Sequence, residues 1–162
     1  VADLADFDGS ELVYDLYCGT GAIGIFIGKN VRKTIGIEVI ETAVKDARKN
    51  AALNNLNNID FILADMKEAL KETEDIIEAH GQPDAIILDP PRGGTHPHTI
   101  KHLLKLAAHK IIYVSCNPSI LARDLHILCE SMYKIKAIQP VDMFPHTPHI
   151  EVVTILQKHA SS

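Results

Sequence analysis

The sequence predicts an α/β protein, a mostly parallel sheet of seven strands with helices on both faces, and three observations carry that expectation. Short apolar runs rich in β-branched residues alternate with longer helical patterns from end to end. Two of the runs, Ala85–Leu88 and Ile111–Ser115, are continuously apolar, as strands buried on both faces are. The most unusual residues stand just after the runs, where open α/β sheets bind ligands.

Taken in order, the first strand covers Leu12–Tyr17 and gives way to a glycine turn and a helix over Ala22–Lys29. A second strand, Thr34–Glu38, leads to a helix over Glu41–Asn54, and a third, Ile59–Leu63, to one over Met66–Ala79. The fourth strand, Ala85–Leu88, precedes a helix over His98–Ala108, and the fifth, Ile111–Ser115, a helix over Ser119–Met132. Strands Ile135–Pro140 and Glu151–Leu156 then follow each other without a helix, which predicts an antiparallel pair at one sheet edge. Only the short stretches Gly81-Gln82-Pro83 and Ala160-Ser161-Ser162 read as linkers, so residues 1–162 form one domain.

Composition narrows the class. The 162 residues are 46% hydrophobic and 23% charged, with a formal net charge of −5, which fits a soluble globular domain and excludes disordered and collagen-like chains. No apolar run approaches the roughly 20 residues that span a bilayer, so a cytoplasmic monomer without a membrane partner is expected. Three Cys argue against a disulfide framework and leave room for a working thiol. The acidic balance by itself gives no support to nucleic-acid binding. Nine His raise the question of a metal, but His96, His98 and His102, or His146 and His149, lack a completing ligand at familiar spacing, and no metal is expected.

Four loci carry chemistry. Asp15-Leu16-Tyr17-Cys18-Gly19-Thr20-Gly21-Ala22-Ile23-Gly24 satisfies G-x-G-x-x-G, and Glu38 follows Gly21 by 17 residues, placed to accept from a ribose diol. Such a turn fits a dinucleotide, S-adenosylmethionine, or packing alone; Asp15 tilts it towards adenosylmethionine, because a carboxylate there suits a cationic ligand. Asp65 could accept from an adenine amino group or simply cap the helix that begins at Met66. In Asp89-Pro90-Pro91-Arg92-Gly93-Gly94, two prolines stiffen the loop that holds Asp89 at the crevice. In Ser115-Cys116-Asn117-Pro118, Asn117 is a good N-cap and Pro118 a good first helical residue, which sets Cys116 at a helix amino end where a thiolate is favoured. Cys18 and Cys129 read as structural. Glu151 opens the last strand as its one carboxylate, a position that an ordinary edge residue could also fill.

These motifs, with Ala122-Arg123-Asp124, Pro140-Val141-Asp142-Met143-Phe144-Pro145-His146-Thr147 and His149-Ile150-Glu151, resemble in order the catalytic domain of the RNA uracil-5 methyltransferases. Enzymes of that family use S-adenosylmethionine to make 5-methyluridine in tRNA or rRNA. The resemblance covers nearly the whole chain and implies a Rossmann-like class I methyltransferase fold. It implies Cys116 as nucleophile and Glu151 as general base, with Tyr17, Gly19, Gly21, Glu38, Asp65 and Asp89 as cofactor and substrate-edge contacts. Ala22 departs from the Asn or Thr that the family often has there. An upstream RNA-binding region and an upstream Phe-Gln segment are missing, so the chain is expected to be the C-terminal catalytic part of a longer RNA-modifying protein. The net charge then ceases to count against RNA as substrate.

Two other classes remain: a nicotinamide-dependent oxidoreductase using Gly19, Gly21, Gly24 and Glu38, and an inactive RNA-binding module. The first leaves Cys116 and Asp89-Pro90-Pro91 unexplained, and a decayed site has no reason to keep both Cys116 and Glu151. An RNA cytosine-5 enzyme would bring a Pro-Cys motif and a second working Cys. S-adenosylhomocysteine is expected to raise the melting temperature while NADH leaves it unchanged, and the reverse response in a thermal-shift assay would favour the oxidoreductase.

Overall fold

The computed structural model of the chain describes residues 1–70, 73–143, 145–147 and 149–160. A single-turn helix α1 (Ala2–Ala5), which the sequence pattern did not signal, precedes β1 (Leu12–Leu16). Then come α2 (Ala22–Ile27), β2 (Lys33–Glu38), α3 (Glu41–Leu53), β3 (Ile59–Leu63), α4 (Met66–Ala69) and α5 (Thr73–His80). The chain continues through β4 (Ala85–Leu88), α6 (Pro97–Leu106), β5 (Lys110–Ser115), α7 (Pro118–Ser131), β6 (Tyr133–Val141) and β7 (Glu151–Lys158).

The seven strands form one sheet in the order β3-β2-β1-β4-β5-β7-β6. All neighbours from β3 to β5 pair in parallel, while β7 runs antiparallel to both β5 and β6. The expected antiparallel edge pair is therefore present, with β7 as the single reversed strand, inserted between β5 and the edge strand β6. The point where the chain switches direction across the sheet lies between β1 and β4, the position at which doubly wound sheets open a crevice.

Most boundaries shift by one or two residues, and three differences have a local reason. The helix expected over Met66–Ala79 is two helices, α4 and α5, with residues 71 and 72 outside the described residues; the Thr73 hydroxyl donates to the Leu70 carbonyl at 3.0 Å where they meet. Strand β6 begins at Tyr133 rather than Ile135, because Tyr133 pairs with Lys158 and donates its buried hydroxyl to the Ala108 carbonyl at 2.9 Å. Helix α6 starts earlier, at Pro97, since the His96 ring accepts from the His98 N–H at 3.2 Å and caps it. The tail expected at Ala160-Ser161-Ser162 is described only through Ala160.

Alternation along the strands divides the core. Leu12, Tyr14, Leu16, Ile86, Leu88, Ile111 and Tyr113 face one side, packed by Leu103 and Leu106 of α6 and Leu121, Leu125 and Leu128 of α7. Val13, Ala85, Ile87, Ile112, Val153 and Ile155 face the other, against Ala5, Ile27 and Val31. A third cluster joins Cys18 and Phe61 to Val44, Ala47 and Ala51 of α3. Gly36 lies where this cluster is tightest: a Cβ there would sit 2.6 Å from Phe61 Cδ1 and 2.9 Å from Cys18 Sγ. Gly36→Ala is expected to cost about 1–3 kcal/mol by overpacking, read as a lower urea midpoint with an unchanged m-value.

Candidate active site at the carboxyl edge of the sheet

The carboxyl ends of β1 to β5 and the amino end of the reversed β7 share one edge, and the predicted residues collect there. The turn after β1 takes a left-handed course at Tyr17 (φ 63°), Gly19 (φ 54°) and Gly21 (φ 81°). For Tyr17 that conformation is unfavourable, a departure that sheets tolerate at functional sites. A Cβ on Gly21 would meet the Phe61 ring at 2.9 Å, whereas Gly19 faces open space with nothing within 4 Å. Burial raises the Tyr17 phenol, whose hydroxyl bonds Thr99.

Two buried carboxylates hold this turn. Glu38 accepts from Gly19 N–H at 3.0 Å through Oε2, and from Val39 and Ile40 N–H at 2.8 and 2.9 Å through Oε1. Three of the roughly four acceptor positions of a carboxylate are thus filled by backbone, and Oε2 retains one for a ligand. Asp15 accepts from Gly24 N–H at 3.0 Å through Oδ2, while its buried Oδ1 has no partner. Burial pushes the Asp15 carboxyl up to about 7, opposed by the Gly24 bond and reinforced by the charge of Asp89. Cys18 is buried beside both acids, and burial raises its thiol strongly, which fits the structural role expected of it. Asp65 lies just before α4 and accepts from Glu68 N–H at 3.4 Å, the capping arrangement weighed from sequence.

Beyond β4, Asp89 and Glu151 line a cavity of about 390 Å³ with Val1, Val114, Val141, Met143 and Val153. Burial, then the charge of Glu151, raises the Asp89 carboxyl above its usual range. Cys116 leaves the end of β5 one residue before Asn117, whose Oδ1 accepts from Ile120 N–H at 3.4 Å as the N-cap of α7, with Pro118 in the first turn. The ladder between β5 and β7 ends at Ser115 opposite Val152, so Cys116 and Glu151 occupy the next position on the two strands. Glu151 is also paired with Val141 of β6. Of the motif leading into β7, Phe144 and Pro148 lie outside the described residues.

Two residues of this edge, Asp124 and Arg123, stand out in the fold. Asp124 is fully buried on α7, on the same stripe as Leu121, Leu125 and Leu128. An acid at a core position of an amphipathic helix is a signal readable from spacing alone. The histidines of 96–98 serve the helix: His96 caps α6, and its ring stacks on His98 with centroids 5.3 Å apart. Among the described residues no group of three or more His, Cys, Asp or Glu is arranged for a metal, and no helix is long and apolar enough to cross a membrane.

The sheet order, the reversed strand and the crevice beside a glycine turn define a Rossmann-like class I methyltransferase fold. The chain belongs to the tRNA (uracil-5-)-methyltransferase family, whose model matches residues 2–159. An uncharacterized RNA methyltransferase of Bacteroides thetaiotaomicron is 48% identical over 155 residues, covering 96% of this chain and 34% of the relative. One from Clostridium tetani is 47% identical, covering 98% and 33%. The chain thus spans about a third of the length of these curated relatives. The solved tRNA (uracil-54, C5)-methyltransferase of Pyrococcus abyssi, in complex with S-adenosyl-L-homocysteine, superposes with a TM-score of 0.79 at 36% identity, covering 95% of this chain and 36% of that one.

The Asp15 carboxyl titrates near 7 in the fold and about 3.9 in an unfolded chain, so the native state binds the extra proton between those values. Its contribution to stability is present at the acid end of that window and is lost as pH rises through it. Asp15→Asn keeps an oxygen for Gly24 N–H and is expected to flatten the fall of the urea midpoint between about pH 4 and about pH 7. An equally steep fall in the variant would show that another group is responsible.

Proposed function

We propose that the chain is the catalytic domain of an S-adenosylmethionine-dependent RNA methyltransferase that methylates C5 of a uridine in tRNA or rRNA. The observation that carries this reading is the register of the β5 and β7 ladder: it ends at Ser115 opposite Val152, on the edge that also bears the glycine turn, so that Cys116 and Glu151 are the next residues on either side. Family membership and the likeness to the Pyrococcus abyssi enzyme support the same chemistry.

The turn suits the cofactor. Open space at Gly19 and the remaining acceptor position on Glu38 Oε2 fit an adenosyl ribose beside the backbone. Tyr17, Gly19, Gly21, Glu38, Asp65 and Asp89 are the residues assigned to hold it. When bound, S-adenosylmethionine supplies an electrophilic sulfonium methyl group. An edge that carries Glu38, Asp89 and Glu151 favours a cationic ligand over a pyrophosphate.

The protein's own groups solve a chemical difficulty, since C5 of uracil is a poor nucleophile. The Cys116 thiolate adds to C6, and the electron pair of the 5,6 double bond moves through C5 onto O4 as an enolate. C5 of that enolate would take the methyl group, the new C5–CH3 bond replacing the sulfonium S–CH3 bond and S-adenosylhomocysteine being the leaving group. Glu151 then takes the C5 proton, the C6–S bond breaks, and the 5,6 double bond and the thiolate are restored. The proton passes from Glu151 to solvent. Val114, Val141, Met143 and Val153 give the cavity beside Glu151 an apolar lining suited to a base removed from its stack. In the longer proteins of this family the remaining two-thirds would supply the RNA-binding surface, so the chain alone is expected to turn over weakly.

In the protein as its gene encodes it, Cys116→Ala is expected to abolish both methyl transfer to RNA and any covalent RNA adduct, with S-adenosylhomocysteine affinity within about threefold of wild type. Glu151→Gln is expected to lower turnover by about 10²–10⁴-fold and to accumulate an adduct stable to denaturing electrophoresis. Methyl transfer retained by Cys116→Ala would refute the mechanism.

A further inference from the structure

Arg123 and Asp124 take no part in the chemistry above, yet they sit where its two halves meet. Asp124 is 0% exposed and gathers bonds from three elements. Its Oδ2 accepts from the Tyr113 hydroxyl of β5 at 2.6 Å and from Thr95 N–H, beyond β4, at 2.9 Å. Its Oδ1 accepts from Arg123 Nε at 2.8 Å and lies 2.7 Å from Arg123 Nη2. Thr95 Oγ1 and the Tyr113 hydroxyl lie 3.0 Å apart and close the network.

Arg123 extends it outward. Its Nη2 donates to the Thr95 carbonyl at 3.3 Å and the Gly93 carbonyl at 3.5 Å, while Asn117 Nδ2 donates to the Arg92 carbonyl at 3.3 Å. Every one of these partners belongs to the loop that begins at Asp89 or to α7 and the strand before it. Gly94, at φ 75°, marks the closest approach: a Cβ there would come 2.1 Å from Ile120 Cγ2 and 2.9 Å from Asp124 Oδ2. The loop is thereby fastened to the first turns of the helix whose amino end presents Cys116.

We propose that Asp124 and Arg123 are positioning residues that clamp the 89–95 loop onto the amino end of α7 and so set Asp89 relative to Cys116. The proposal rests on Cys116 acting as the nucleophile. Two stiff prolines transmit the clamp along the loop, because Pro90 and Pro91 leave little backbone freedom between Asp89 and the anchored carbonyls of Arg92 and Gly93. Small displacements at such a junction cost about 10²-fold in rate.

The test uses Asp124→Asn and Arg123→Lys in the protein as its gene encodes it, assayed well below the melting temperature of each. Arg123 is partly exposed, so its lysine variant folds even if the buried asparagine does not. Both are expected to lower kcat at least tenfold, with KM for S-adenosylmethionine within threefold, and to change the rate of Cys116 alkylation by iodoacetamide, followed by peptide mass spectrometry. A folded Arg123→Lys with kcat within twofold of wild type overturns the proposal, as does an unaltered alkylation rate. Cys116→Ala separates the two ideas: methyl transfer surviving in that variant overturns the nucleophile assignment, whereas the alkylation rate in the clamp variants judges the clamp by itself.

Discussion

The site depends on one reversal of chain direction. In a fully parallel sheet every strand would end at the ligand edge and begin at the far one. Strand β7 runs the other way between β5 and β6, so its first residue, Glu151, arrives where its neighbours finish. Register then decides which residue it meets. A slip of one residue along the ladder would turn the Glu151 side chain to the opposite face. The alternating burial of Val152 and Leu156 on one side, and of Val153 and Ile155 on the other, specifies that register.

The edge concentrates acid, and the chain divides that acid into two kinds. Asp15, Glu38 and Asp124 are buried and accept from backbone N–H groups, which turns each carboxylate into a fastening for a loop. Asp89 and Glu151 line the cavity, where burial first and then the charge of Glu151 raise the Asp89 carboxyl. Buried charge without partners is costly, so Glu38 and Asp124 are bonded through both oxygens, while Asp15, with one oxygen unpartnered, is pushed towards its neutral form. The second kind is left free to meet a ligand.

Much of this architecture is legible in the sequence itself. Seven runs of β-type residues, helical patterns between them and the missing helix before β7 foretold the sheet and its antiparallel edge. Helix α1 escaped because four residues carry too little periodicity. The division between α4 and α5 escaped because both halves bear helical sequence. Asp124 was legible as an acid on an apolar stripe, but its partners were not, since Tyr113 and Thr95 lie 11 and 29 residues away.

The sequence by itself determined the kinds of element, their order, and which residues stand at strand ends, because those follow from local periodicity and from the backbone demands of Gly, Pro and Asn. It also marked Cys116 as the cysteine at a helix start. Only the tertiary structure decided that β7 starts at Glu151 one step beyond the end of the β5 ladder, that Glu38 spends most of its acceptor capacity on the backbone, and that the 89–95 loop is bolted to α7. Those are contacts between distant residues, and they are set by the order in which strands pair across the sheet, which local pattern does not encode.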